Sequence, residues 1–182
     1  MRDIQAEILD FWFVQSSPAQ WFQKNADFDA IVKNQFEPAY NLAVQGMFDH
    51  WRDTPDGCLA YILLLDQFPR NMFRGAPEAF ATDRRALDMA QSALEKSFDK
   101  LLPLEQRRFI YLPFEHDETM ESQEKSVRLF EKMKSSDPIA YDYAVRHKEV
   151  IEQFGRFPHR NAALNRQNTA QENEYLKNNI GF

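Results

Sequence analysis

Two segments of the chain repeat one another in residue type. Asp66-Gln67-Phe68-Pro69-Arg70-Asn71 and Arg156-Phe157-Pro158-His159-Arg160-Asn161 each carry Phe-Pro and then Arg-Asn. A proline that ends a helix fixes the turn after it. A guanidinium placed there offers a planar fork of donors to exposed carbonyls or to an anion. Two readings follow. In one, the segments are similar helix exits whose arginines cap carbonyls. In the other, the exits converge on one pocket in which Arg70, Arg74, Arg156 and Arg160 grip an anion, lined by Asn71, Asn161, His147 and His159. Capping accounts for the proline and the arginine, but not for the shared asparagine.

Asp66 is the odder residue. It lies in the last turn of an apolar helix, where the helix dipole disfavours an acid. If that turn is buried, Asp66 needs a cation. Arg70 is four residues on, and Arg156 or Arg160 could reach it through the fold. A third feature is Phe109 to Glu118, where aromatic residues lead into Pro113 and then into four ionisable side chains, Glu115 to Glu118. Proline should arrest the helix at 113, leaving Glu115 and His116 to face a cleft as a general acid–base pair or as ligand contacts. The plainer reading is the acid-rich start of the next helix. His147 falls in step with Ala144 and Ile151 on an apolar helix face, the usual setting of a hydrogen-bonded core histidine.

Other chemistries are disfavoured. His116, His147 and His159 with a carboxylate have the side-chain types of a metal site, but no HExxH or similar spacing accompanies them. No metal or cofactor is therefore expected. No G-x-S-x-G elbow supports a serine triad, and no glycine-rich phosphate loop is present. The aromatic residues Phe11, Trp12, Phe13, Trp21 and Phe22 lack the basic surround that nucleic-acid stacking needs, so they should fill interhelical gaps.

The elements that must position these residues are helical almost throughout. Ile4, Ile8 and Trp12 step by four over residues 3–14. Asp27 can cap a second helix carrying Phe28, Val32, Phe36 and Ala39, with Pro38 expected to kink or split it and Gly46 to stop it. Thr54-Pro55 reads as a cap followed by a first-turn proline. The run Cys58–Leu65 is apolar on every side and marks the most buried helix. Further helices are expected over about 83–98, from Pro103, over 118–134 and from Asp137-Pro138 to Gly155. Thr169 and Glu172 form a capping box for a last one. No strand pattern is convincing. The expected fold is all-α, about seven to nine helices stacked as antiparallel hairpins in one domain, 1–182.

Composition sets the outer bounds. The 182 residues include 22 Lys+Arg, 28 Asp+Glu and one cysteine, for a net charge of −6. A negative chain has no bulk attraction to nucleic acid or anionic membrane. Cys58 alone allows no intramolecular disulfide and no cysteine-based zinc site, which suits the cytoplasm. The longest apolar run is eight residues where a membrane span needs about 20, and the first ten residues do not read as a signal peptide.

These motifs together resemble the bacterial family known as domain of unknown function 924. The resemblance rests on Phe11-Trp12-Phe13, Trp21-Phe22, Phe28-Asp29, the string from Leu63 to Asn71, and Phe73-Arg74-Gly75. It continues through Tyr111-Leu112-Pro113, Glu115-His116, Gln123-Glu124, Ser126-Val127 and the string from Phe154 to Asn161. It covers nearly the whole chain and implies a tetratricopeptide-like helical fold, without a settled activity. Asp117 departs from the small polar residue of the family pattern, so the carry-over stops at His116.

The first functional expectation is a binding module for a small anion or a peptide carboxylate, held by Asp66, Arg70, Asn71, Arg74, His147, Arg156, His159, Arg160 and Asn161. The second is a hydrolase or transferase acting on an anionic small molecule, with Glu115 and His116 as proton-transfer groups. The third is a protein-interaction scaffold whose motifs serve only the fold. A homodimer is the default assembly.

Overall fold

Caps and breakers account for most element boundaries in the computed structural model, which describes residues 3–178. Its α-helices are α1 (Ile4–Asp10), α2 (Pro18–Phe22), α3 (Ala26–Val44), α4 (Pro55–Ile62), α5 (Phe68–Met72) and α6 (Asp83–Glu95). They continue with α7 (Leu104–His116), α8 (Met120–Glu131), α9 (Pro138–Phe154) and α10 (Ala170–Asn178). No strand occurs among the described residues, so the fold is all-α. Thr54 accepts from the Gly57 N–H to start α4, and Asp137 accepts from Ala140 to start α9. Thr169 and Glu172 close the expected reciprocal box at α10. Gly155 takes φ +69°, the left-handed conformation that stops α9 at little cost. Gly57 is fixed by space instead, since a Cβ there would lie 2.2 Å from the Trp51 carbonyl oxygen.

The structure corrects several boundaries. The cap of α3 is Asn25 rather than Asp27; its side chain accepts from the N–H groups of Asp27 and Phe28. Pro38 neither splits nor ends α3. It lies on the exposed face, as does Asn34, whose carbonyl loses its helical donor and can turn to water. The first helical run changes to π geometry at Phe11–Gln15 and closes with Ser16 N–H and Oγ both donating to the Phe11 carbonyl.

The Phe68-Pro69 step is likewise no helix exit. Residues 55–72 are one continuous helical run in which a π-turn, Leu63–Gln67, joins α4 to α5. Pro69 lacks the N–H that would reach the Leu65 carbonyl, and the Thr82 hydroxyl donates to that carbonyl at 2.6 Å instead. Pro113 is also inside a helix, so Glu115 and His116 form the last turn of α7 rather than a segment beyond it.

Two compact units divide the chain. Unit 1 comprises 1–74 and 78–113, and unit 2 comprises 75–77 and 114–182. In unit 1, Cys58 to Leu65 are buried on all sides, as their unbroken apolar character predicts. Phe11, Trp12, Trp21, Phe28, Phe36, Phe68 and Phe109 interlock around them, with ring centroids 4.7–6.3 Å apart in mostly tilted or edge-on pairs. In unit 2, α8 and α9 pack on each other across a short turn, and Val150, Ile151 and Phe157 form a core. Phe154 and Tyr175 close over it.

Candidate functional site

The polar residues of unit 1 are bound to one another. Asp66 is 0% exposed. Its carboxylate lies 3.2 Å from Arg70 Nη1 and accepts from Gln67 Nε2 at 2.5 Å. Arg70 also forks onto Asp83, donating from Nη1 at 2.9 Å and from Nη2 at 3.0 Å, and it donates to the Asp66 carbonyl. Burial works against the Arg70 charge, but Asp66 and Asp83 outweigh it and hold its pKa above the ordinary arginine value. Asn71 and Arg74 meet on one acid, Asp29. Asn71 Nδ2 donates to Oδ1 at 2.8 Å, and Arg74 donates from Nε and Nη2 at 2.7 and 2.8 Å. Burial raises the Asp29 pKa, yet the hydrogen bonds from Arg74 and Asn71 bring it below the usual carboxylate range. Four of the expected site residues thus fasten α5 to α3 and α6.

In unit 2 the second segment begins similarly. Arg156 forks onto Glu172 at 2.6 and 2.8 Å and donates to the Gln167 carbonyl. The Arg156 hydrogen bonds hold the Glu172 carboxyl down at about 2. Asn161 donates to Asn168 and accepts from Arg166 Nε at 2.8 Å. Arg166 in turn forks onto Glu118 at 2.7 and 3.0 Å, and Glu118 accepts from the Phe157 N–H. Burial opposes ionisation of Glu118, but these donors outweigh it and its pKa lies below the ordinary value.

The remaining expected residues gather around Phe157 and His147. The Arg160 guanidinium carbon lies 4.6 Å from the Phe157 centroid. The His159 ring is 5.7 Å from that centroid, and the His147 ring is 5.5 Å from it at 79°, edge to face. His116 stands 6.3 Å from His147, centroid to centroid. Glu115 Oε1 lies 3.3 Å from His147 Nδ1. Glu115, His147 and Arg160 are buried, whereas His116 and His159 are half-buried.

Local structure explains this convergence. Glu115 and His116 share the last turn of α7. Its terminal carbonyls at Phe114, Glu115 and Asp117 are gathered by Gln123 Nε2 of α8. His147 projects from the inward face of α9. The left-handed stop at Gly155 then turns the chain so that the 3₁₀ turn Pro158–Arg160 returns His159 and Arg160 past Phe157.

His147 Nδ1 lies 2.8 Å from the Tyr143 carbonyl oxygen. Burial is the main cause holding its pKa well below the usual imidazole range. The charges of His116, Arg160 and His159 add to this, and the Tyr143 carbonyl only partly opposes it. No group of three or more His, Cys, Asp or Glu side chains among the described residues has metal-binding geometry.

Sequence spacing offers Arg70 as the partner of Asp66, and the two do pair, but it does not offer the acids that Arg74 and Arg156 meet and does not single out Arg166. Asp29 lies 42 residues from Asn71 and 45 from Arg74, and Glu118 lies 48 from Arg166. No local signal joins them. Glu172 is marked in sequence by the Thr169 capping box, although its pairing with Arg156 is not. Phe157, around which the cluster forms, reads only as part of a Phe-Pro step.

The chain is similar to a solved structure, the protein of unknown function ATU0120 from Agrobacterium tumefaciens. The two are 37% identical over 97% of this chain and 98% of that one, with a TM-score of 0.91. No curated protein matches the chain significantly. The family model described as a bacterial protein of unknown function, DUF924, matches residues 8–179. The chain therefore belongs to the DUF924 family, as its motif strings suggest.

Proposed function

We propose that unit 2 is a binding module for a small anionic ligand, held by His116, His159 and Arg160 beside His147. The observation that carries this reading is the gathering of Arg160, His147 and His159 against Phe157, with His116 beside His147. The guanidiniums of Arg70, Arg74 and Arg156 are each held by carboxylates elsewhere in the fold. Arginine and protonated histidine supply charge-assisted hydrogen bonds to an oxyanion, and the half-buried His116 and His159 give it a way in. The helices on which these groups sit extend the reading to stacked hairpins of tetratricopeptide-like type. A lone buried thiol, Cys58, fits a cytoplasmic setting.

The test is calorimetric titration of the full chain with inorganic phosphate, accompanied by thermal unfolding. At 100 times its Kd the ligand should add about 2.7 kcal/mol, roughly 5–11 °C for a chain of this size. His159→Gln should weaken binding without altering the helical signal. No heat and no shift with phosphate or small carboxylates at millimolar concentration would overturn the proposal.

A second reading has one observation in its favour. The 3.3 Å contact between Glu115 and His147 is the geometry of a carboxyl–imidazole proton-transfer pair. On this reading the anion is a substrate of a hydrolase or transferase. Glu115 works with His147 rather than with its sequence neighbour His116. A Glu115→Gln variant that keeps full turnover of an identified substrate would dispose of it.

A further inference from the structure

Mild acid should act on unit 2 before it acts on the rest of the chain. His147 is buried on the inward face of α9. The last turn of α7 sets Glu115 and His116 beside it, and the Pro158–Arg160 turn lays His159 and Arg160 against Phe157, whose face meets the edge of His147. The buried face of α8, which packs on α9, is uncharged: Ser122, Gln123, Ser126, Leu129 and Phe130. Glu118 also attracts Arg160 but is forked by Arg166. At neutral pH Arg160 and Glu115 can offset each other. Each imidazole that takes a proton then adds a positive charge to a small, largely buried volume, where like charges repel and desolvation is costly.

The turn that carries His159 and Arg160 is short and tied at both ends. Phe157 donates its N–H to Glu118 and accepts at its carbonyl from Arg166, and Asn161 accepts from Arg166 Nε. Arg156 before them is forked onto Glu172. Pro158 to Arg160 are therefore the residues that can move with least disturbance. Burial is the main cause that holds the His147 pKa well below its ordinary 6.5, and the charges of His116, Arg160 and His159 add to it. An unfolded chain takes up this proton near pH 6.5 while the folded one resists it, so the stability that neutral His147 contributes is complete above about 6.5 and is lost as pH falls. Glu118 and Glu172 titrate below their ordinary 4.5, so the bonds at the ends of the turn persist through that window.

We propose that the Pro158–Arg160 turn is an acid-released latch on α9: on mild acidification His147 takes up a proton and Arg160 and His159 move off Phe157, while the Arg156–Glu172 and Arg166–Glu118 pairs hold. Release uncovers the Phe157 ring, which is 0% exposed when the latch is closed. The latch goes beyond the anion-binding reading and stands whether or not an anion binds there.

Hydrogen–deuterium exchange of the full chain, read by mass spectrometry and corrected for the pH dependence of intrinsic exchange, tests it. Bis-Tris and piperazine chloride buffers keep oxyanions out of the sample. One proton taken up on opening raises the open population about tenfold per pH unit, so peptides over residues 155–162 should lose about 30-fold in protection between about pH 6.5 and about pH 5. Peptides over residues 55–72 of unit 1 and over α10 should change less than about twofold, because the carboxylates that tie them titrate lower. Unchanged protection over residues 155–162, or an equal loss over 55–72, would overturn the latch. His147→Gln cannot take the proton and should reduce the acid effect to under about threefold. Acid release that persists in this variant would also overturn the proposal. Should the variant not fold, the NMR titration of the His147 ring in the unaltered chain decides: a midpoint below 6.5 alongside the local loss of protection supports the latch, and a midpoint at or above 6.5 overturns it.

Discussion

Asp66–Asn71 in unit 1 and Arg156–Asn161 in unit 2 are near copies in sequence and opposite in construction. The first lies inside a continuous helical run, where Pro69 is accommodated because the Thr82 hydroxyl serves the carbonyl that proline leaves without a donor. The second lies beyond a true helix stop at Gly155. In unit 1 every conspicuous cation is matched by an acid, Arg70 by Asp66 and Asp83, and Arg74 by Asp29. In unit 2, Arg156 is similarly consumed by Glu172, while Arg160 and His159 lie against the Phe157 ring. A shared motif therefore fixes side-chain type but not backbone punctuation. The use made of the side chain depends on which acids the rest of the fold brings within reach.

That contrast breaks most easily in unit 1. Arg70→Met should cost about 3–5 kcal/mol, because it strands the buried Asp66 carboxylate without its countercharge. Urea denaturation measures this, and a loss under about 1 kcal/mol would mean that the unit 1 segment does not hold the fold.

In unit 2, Glu172→Gln should cost about 2 kcal/mol at neutral pH by removing charged hydrogen bonds to Arg156. The sign of its pH dependence is fixed. The carboxyl titrates at about 2 in the folded chain against an ordinary 4.5. Its contribution is complete above about pH 4.5 and is lost as pH falls toward 2. The variant should consequently lose less stability than the parent across that window. Parallel acid-unfolding curves would show that Arg156 and Glu172 are not coupled in solution.

Thr82→Val should cost about 1–2 kcal/mol, since it leaves the buried Leu65 carbonyl without the hydroxyl that replaces the proline's missing donor. Thermal unfolding would read it, and an unchanged midpoint would mean that another donor serves that carbonyl. The smallest stability change belongs to His159→Gln, under about 0.5 kcal/mol at a half-buried turn position. The same variant should weaken phosphate binding, measured by calorimetry. A large loss of stability would instead place His159 with the structural pairs of unit 1 and erase the contrast.

Much of this architecture is legible along the chain because its signals are local. Apolar spacing at 3.6 residues, a capping oxygen three residues before an N–H, and a left-handed glycine at a helix end all act within one or two turns. So α4, α6, α9 and α10 stand close to where their residues put them, and the family is evident from its motif strings. The prolines were the misleading local signal. Whether Pro38, Pro69 or Pro113 ends a helix depends on where the carbonyl four residues back finds a replacement donor, and for Pro69 that donor is 17 residues from the carbonyl in sequence.

The candidate site divides along the same line. Sequence determines that Arg70, Arg74, Arg156, Arg160, His116, His147 and His159 are present and that Glu115 adjoins His116. Only the tertiary structure decides which acid or ring each of these side chains meets. Ion pairing acts over a few ångströms of space, and the acids that settle the matter, Asp29, Asp83, Glu118 and Glu172, approach their partners only when the helices pack.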